Sequence, residues 1–178
     1  MTDRATTTAL PTEPEGLERI GECRVLRNVA EQPGVETLEG RLVPLMGGID
    51  IRSHLIVMHP GQWCYPHPHP TESLIYTISG RWVFCTTEDG EEVRTVIEAG
   101  DLFHFVPDVP TGFETPFEEP AVILILKGEP GTYAEMQQAM IGARDHLQEE
   151  ADNGEVFSLA ELPEDHPART FARSVVSS

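Results

Sequence analysis

Residues 61–73 read Gly-Gln-Trp-Cys-Tyr-Pro-His-Pro-His-Pro-Thr-Glu-Ser. Two histidines, His67 and His69, alternate with Pro66, Pro68 and Pro70. Each proline fixes its own φ at about −65° and steers the residue before it to extended backbone. That excludes a helix here. In an extended chain, positions i and i+2 project to one face, so both imidazoles can converge on one ion. The alternative for such a run is a proline-rich surface loop with incidental histidines.

The run leads into Leu74-Ile75-Tyr76-Thr77-Ile78-Ser79, β-branched and aromatic, stopped by Gly80. This predicts a strand and a turn. Similar signals recur on both sides. Ile51 to Met58 reads as a strand ending at Pro60-Gly61. Trp82 to Thr86 and Val93 to Ile97 flank Asp89-Gly90, a hairpin signal. Leu102 to Val106 and Ala121 to Leu126 add two more strands. Arg24 to Leu26 is a short one, and Gly40 to Met46 reads as an edge strand interrupted by Pro44. Many short antiparallel strands imply an all-β sandwich or barrel.

After Gly128 the period changes. Thr132 and Glu135 form a capping box, and Tyr133, Met136, Met140, Ala143 and Leu147 follow at helical spacing. The helix should reach about Ala151 and stop near Asn153-Gly154. Ser158 and Glu161 suggest a second box within 156–162, and Pro167 to Val176 a terminal helix. The expected division is residues 1–16 as a disordered or loosely docked arm, 17–128 as the β domain, and 129–178 as a helical extension packed on it.

The stretch from Gly48 to Gly128 resembles the cupin superfamily. Gly61, His67, His69 and Gly80 fall on that family's first motif. Gly100 and Asp101 match the start of its second, with Pro107 and Pro110 near its turn. The resemblance implies a jelly-roll β-barrel and, commonly, a homodimer; Leu42, Val43, Leu45 and Met46 offer an apolar edge for one. It also implies a metal held by His, His, Glu and His. This chain departs at two of those positions: Ser73 stands at the Glu and Thr111 at the second-motif His. Cupins host many chemistries, so the likeness speaks to fold more than to reaction.

His67 and His69 are therefore the expected ligands of one divalent transition metal, Fe, Zn, Mn or Ni, at partial occupancy. Glu72 and His104 are the candidate third ligands. With Glu72 the set is two histidines and a carboxylate, as non-haem iron uses. Strand parity opposes Glu72 unless Pro70 and Thr71 break it. His104, His54 and Tyr65 are candidate catalytic groups, His59 has the same ambiguity as His54, and His146 and His166 have no assigned role. Trp63, Tyr65, Tyr76, Phe103 and Phe113 are candidate lining residues. Arg52 or Arg81, if turned inward, would select a carboxylate or phosphate.

Composition limits the partners. The formal charge is −18, from 30 acidic and 12 basic residues, which argues against nucleic acid and anionic membranes. Cys23, Cys64 and Cys85 form no metal or disulfide framework, so free thiols in a reducing, cytoplasmic setting are expected. No signal-peptide pattern and no apolar run of membrane-spanning length is present. The expected function is a metal-dependent enzyme acting on a small organic substrate, of oxygenase, lyase or isomerase type. The alternatives are a small-molecule-binding or structural protein with a decayed metal site, and a metal-free isomerase or cyclase.

Overall fold

Apolar and polar residues alternate along the strands, and that alternation builds two antiparallel sheets with a shared interior. The computed structural model describes residues 10–176. In chain order the strands are β1 (Leu17–Ile20), β2 (Cys23–Leu26), β3 (Val35–Thr37), β4 (Gly40–Gly47), β5 (Arg52–Met58) and β6 (Trp63–His67). They continue as β7 (Ser73–Ser79), β8 (Arg81–Glu88), β9 (Glu91–Glu98), β10 (Leu102–Phe105), β11 (Thr111–Glu114) and β12 (Ala121–Lys127). Helices α1 (Tyr133–Asp152) and α2 (Pro167–Val176) follow. One sheet has six strands in the order β10, β7, β12, β5, β4, β3; the other has four, β6, β11, β8, β9. A small hairpin, β1–β2, stands apart from both. Strand hydrogen bonds do not join the two large sheets into a closed barrel.

Parity decides the core. Along β7, Ser73, Ile75 and Thr77 are buried while Leu74, Tyr76 and Ile78 are exposed. Along β12, Ala121, Ile123 and Ile125 are buried on the matching face. Met58, Ile75, Trp82, Ala121, Ile123 and Ile125 form the main apolar cluster between the sheets. Trp82 Nε1 donates to Thr77 Oγ1 at 3.0 Å, tying one sheet to the other through an otherwise apolar layer. Gly61 and Gly80 have φ of 82° and 76°, the left-handed region that favours glycine, and each ends a strand connection.

Three expectations change. β4 is not an edge. It pairs with β5 on one side and β3 on the other, but β3 reaches only Gly40 to Leu42. Pro44 lies beyond that reach, so its missing N–H leaves no β3 partner unanswered. The apolar stretch offered for a dimer is also used within the chain. Val43 and Leu45 are buried with Leu55, beneath Leu26 and Val29, and α1 packs against β3 and β4. Residues 156–162 form no helix. Trp63 N–H donates to the Phe157 carbonyl and Leu159 N–H to the Gly61 carbonyl, so this segment lies along β6 instead. The local capping signal at Ser158 loses to long-range pairing through the Gln62–Ser158 bridge.

Both helices form where the sequence predicts them. The Thr132–Glu135 capping box closes α1 at its N-terminus, and Met136, Met140 and Leu147 are buried along it. Residues 1–9 of the expected arm lie outside the described residues. No helix among the described residues is long and apolar enough to cross a membrane. All three cysteines are free, with Cys64 and Cys85 buried.

Outside the cavity, one ion pair is almost fully enclosed. Arg94 Nε donates to Glu114 Oε1 at 2.6 Å across β8, and Arg94 Nη2 reaches the half-exposed Glu92 at 2.6 Å. Glu114 is completely buried and its Oε2 has no partner. Burial raises the Glu114 pKa; Arg94 opposes that. Removing one member of a buried pair strands the other charge, at a cost of about 3–5 kcal/mol. Arg94→Met is therefore expected to destabilise by roughly that much in urea unfolding, and Glu92→Gln by less than about 1 kcal/mol. Equal, small losses for both would show that the pair contributes little.

Candidate functional site

The strands that converge between the sheets leave a cavity of about 200 Å³. Its deep wall is apolar: Ile56, Met58, Trp82, Phe84, Ile123 and Phe113. Phe84 and Phe103 pack with ring centroids 4.3 Å apart and planes tilted by 49°. The polar lining is more varied, with His54, Cys64, His67, His69, Thr71, Ser73, Thr111, Lys127 and Glu39.

Four of these stand out because of where they sit in the motifs. His67 and His69 have ring centroids 4.4 Å apart, tilted by 45°. Ser73 and Thr111, which stand where cupins usually carry ligands, line the same cavity. Thr111 pairs with His67 across the β6–β11 ladder. The four motif positions thus meet in space, two as imidazoles and two as hydroxyls.

The histidines differ in their partners. His67 Nδ1 lies 3.0 Å from the Tyr65 carbonyl and 3.8 Å from Cys64 Sγ. A carbonyl only accepts, so the Nδ1 proton is fixed there, and in that tautomer the Nε2 carries the lone pair. His69 packs edge-on against Phe105, ring centroids 4.9 Å apart. Burial first, then His67 and Lys127, pushes its pKa down to about 4. His54 also lines the cavity, and burial, then Arg52 and Lys127, holds it at about 3. Both are neutral near pH 7, as a metal-binding or hydrogen-bonding imidazole must be.

The structure brings neither Glu72 nor His104 to this pair. Glu72 Oε1 and His104 Nε2 are 2.7 Å from each other on the outer face, with side chains 65% and 52% exposed. The cause is parity. Ser73 faces in, so Glu72 faces out; Phe103 and Phe105 face in, so His104 between them faces out. Tyr65 also lies outside the cavity, between Trp63 and His67, and burial first raises its pKa. Tyr76 is exposed on the outer face, whereas Phe103 and Phe113 line the cavity as expected. His59 pairs with Glu36 and His146 with Glu150, both at the surface. His166 stands edge-on to Trp63. Arg81 lies over the Phe117 ring, 4.2 Å from its centroid.

Three polar lining residues, Cys64, Glu39 and Lys127, are not part of the site read from the sequence. Cys64 donates to Glu39 Oε1 at 2.9 Å, and burial, then Glu39, pushes its thiol pKa up. Glu39 comes from the β3–β4 turn, far from the motif in sequence. Lys127 ends β12 and is the sole lysine of the chain. Parity from Ile123 and Ile125 could have found it.

As a donor set, two adjacent imidazoles are of the kind that suits a divalent transition metal. His67 anchored through Nδ1 to a backbone carbonyl is the usual outer support for a ligand histidine. Among the described residues, no three His, Cys, Asp or Glu side chains converge as a metal cluster. The cavity thus offers two histidine donors, one fewer than the three protein ligands a catalytic metal usually has.

Two facing antiparallel sheets with a His-x-His segment opening on a shared cavity define the fold class. Residues 54–127 match the family model for the cupin domain, which supports membership of the cupin superfamily. A solved oxalate decarboxylase is 22% identical over 84% of this chain, TM-score 0.50; the chain spans 36% of that protein. A Cupin 2 conserved barrel domain protein from Salinispora arenicola CNS-205 is 19% identical, covering 70% of this chain and 98% of that one, TM-score 0.49. An RmlC-like cupin from Shewanella frigidimarina NCIMB 400 is 22% identical, covering 51% and 76%, TM-score 0.43. No curated protein matches the chain. At these identities the likeness concerns the fold alone.

The depressed His54 pKa has a measurable consequence. A group whose folded pKa lies below its unfolded value of about 6.5 favours folding while neutral. Its contribution is complete above about pH 6.5 and is lost as pH falls toward 3. His54→Gln removes that group. In urea unfolding between pH 7 and 4, the variant should lose less stability on acidification than the wild type. Parallel pH profiles would show that His54 is not held neutral.

Proposed function

We propose that the chain is a cupin enzyme acting on a small organic substrate, with a divalent transition metal held weakly by His67 and His69. The two sheets would be the halves of a jelly-roll barrel. The observation that carries the reading is the adjacency of the two rings, with the His67 Nε2 lone pair left open by its bond to Tyr65. A bound metal would supply Lewis acidity and, if iron, oxygenase-type chemistry. The chain's own residues do the rest. His67 and His69 orient the site, the phenylalanine walls exclude water, and the Ser73 and Thr111 hydroxyls are placed to hydrogen-bond a ligand.

Ser73 and Thr111 favour a second reading. With hydroxyls at two ligand positions, the cavity suits a metal-free isomerase or cyclase, or a small-molecule-binding or structural protein whose metal site has decayed. The homodimer remains part of the proposal, but on another surface. Leu74, Tyr76, Leu102 and Leu126 are exposed on the outer face of the six-stranded sheet, and in register they are neighbours. A cytoplasmic location fits three free thiols.

The test is metal content of tag-free protein after loading with excess Zn²⁺ or Fe²⁺ and desalting. Up to one ion per chain is expected, with His67→Ala and His69→Ala each losing it. Glu72→Gln and His104→Ala should keep it, because both side chains face away. A double histidine variant that retains its metal, or a wild type that takes none, transfers the function to the second reading.

A further inference from the structure

The chain has 12 basic residues against 30 acidic ones, and its one lysine lines the cavity. Lys127 is the last residue of β12, in register with Arg52 on β5 and Ser73 on β7. Its Nζ is 3.1 Å from Glu129 Oε1, and Arg52 Nη2 binds the same carboxylate oxygen. Two cations share one acid, which leaves one positive charge in excess among these three groups. Burial would raise the Glu129 pKa, but Lys127 and then Arg52 outweigh it and hold Glu129 ionised. An ammonium has three N–H donors, and Glu129 is its only carboxylate partner among the described residues.

The lining of the same cavity carries unanswered polar atoms. Thr71 Oγ1 and Thr111 Oγ1 are buried without hydrogen-bond partners, and Thr111 is only 5% exposed. Buried hydroxyls without partners are uncommon and mark a place where a ligand or water completes the bonding. Ser73, 6% exposed, adds a third hydroxyl. The one carboxylate in the lining, Glu39, lies at the β3–β4 seam and accepts the Cys64 thiol. The chain's overall charge of −18 does not govern this point. Exposed charges farther than about 10 Å are largely screened at 0.1 M salt, so the local cations decide.

The rest of the cavity is apolar. A volume near 200 Å³ holds roughly six or seven water-sized groups at about 30 Å³ each. Covalently bonded atoms pack closer, so a ring bearing one small substituent fits.

Resting on the reading of the cavity as a small-molecule site, we propose that it takes a small organic acid. The carboxylate is held by Lys127 with the Thr71 and Thr111 hydroxyls, and an apolar or aromatic body lies against Phe84, Phe103 and Phe113. Charge-assisted bonds of this kind are about twice as strong as neutral ones. A neutral isostere of the same shape should therefore bind much more weakly.

The uniqueness of Lys127 gives a direct test on the full chain. Reductive methylation with ¹³C-formaldehyde labels Lys127 and the α-amine, keeps the charge, and yields one side-chain NMR signal. Titration with benzoate should move the Lys127 signal and leave the α-amine signal in place, while benzamide should move neither. Calorimetry on unlabelled protein should show benzoate binding that weakens at least about tenfold in Lys127→Met and largely survives in Lys127→Arg. Benzamide binding as tightly as benzoate, benzoate leaving the Lys127 signal still, or acetate, isobutyrate and benzoate all failing to bind at about 10 mM, overturns the proposal. Metal content measured alongside separates the two claims. Metal without acid binding sinks this inference alone; acid binding through Lys127 without metal sinks the metal reading alone.

Discussion

β12 hydrogen-bonds to β5 on one side and β7 on the other from Val122 to Lys127, and this double pairing sets what the cavity contains. Because side chains alternate at a period of two, fixing one residue fixes the rest. Ile123 faces in, so Ile125 and Lys127 do as well. Their partners His54 and Ile75, then Arg52 and Ser73, take the next places across the sheet. A one-residue slip of β12 would put Leu124 and Leu126 inside and turn Lys127 outside. The site is therefore a consequence of register as much as of residue choice.

The cavity joins two chemistries that a core normally keeps apart. Its floor is closely packed, with Trp82 and the phenylalanines in contact, and its upper wall carries neutral imidazoles, hydroxyls and one ammonium. The contrast with Arg94 and Glu114 is instructive. There a buried acid is met by a buried base, and the arrangement serves structure. At the cavity the polar atoms are only partly satisfied: His67 keeps one nitrogen open, and Thr71 and Thr111 keep their hydroxyls without partners. Partial satisfaction is costly in a core and useful in a binding site.

Much of this was legible in the sequence. The proline-spaced histidines foretold their shared face, and the resemblance to cupins placed Ser73 and Thr111 beside them. The α1 capping box and the Asp89-Gly90 hairpin are local signals that survive in the fold. What failed was attraction to metal-type residues against parity. Glu72 and His104 have suitable chemistry, but each is one residue out of phase with inward neighbours. Glu39 could not be read, since its reach depends on how two sheet edges meet. Residues 156–162 carry a helix-start signal, yet pairing with β6 overrides it. Lys127 was available by parity and by its uniqueness.

The central claim is that His67 and His69 are the ligands and that the Glu72–His104 pair is not. Crystals of tag-free protein soaked in Co²⁺ or Zn²⁺, measured at the metal's absorption edge, test it most directly. The account predicts an anomalous peak in the cavity within about 2.0–2.2 Å of one nitrogen of each ring. A peak bridging Glu72 and His104 on the outer face, or a cavity with none at saturating metal, would contradict it.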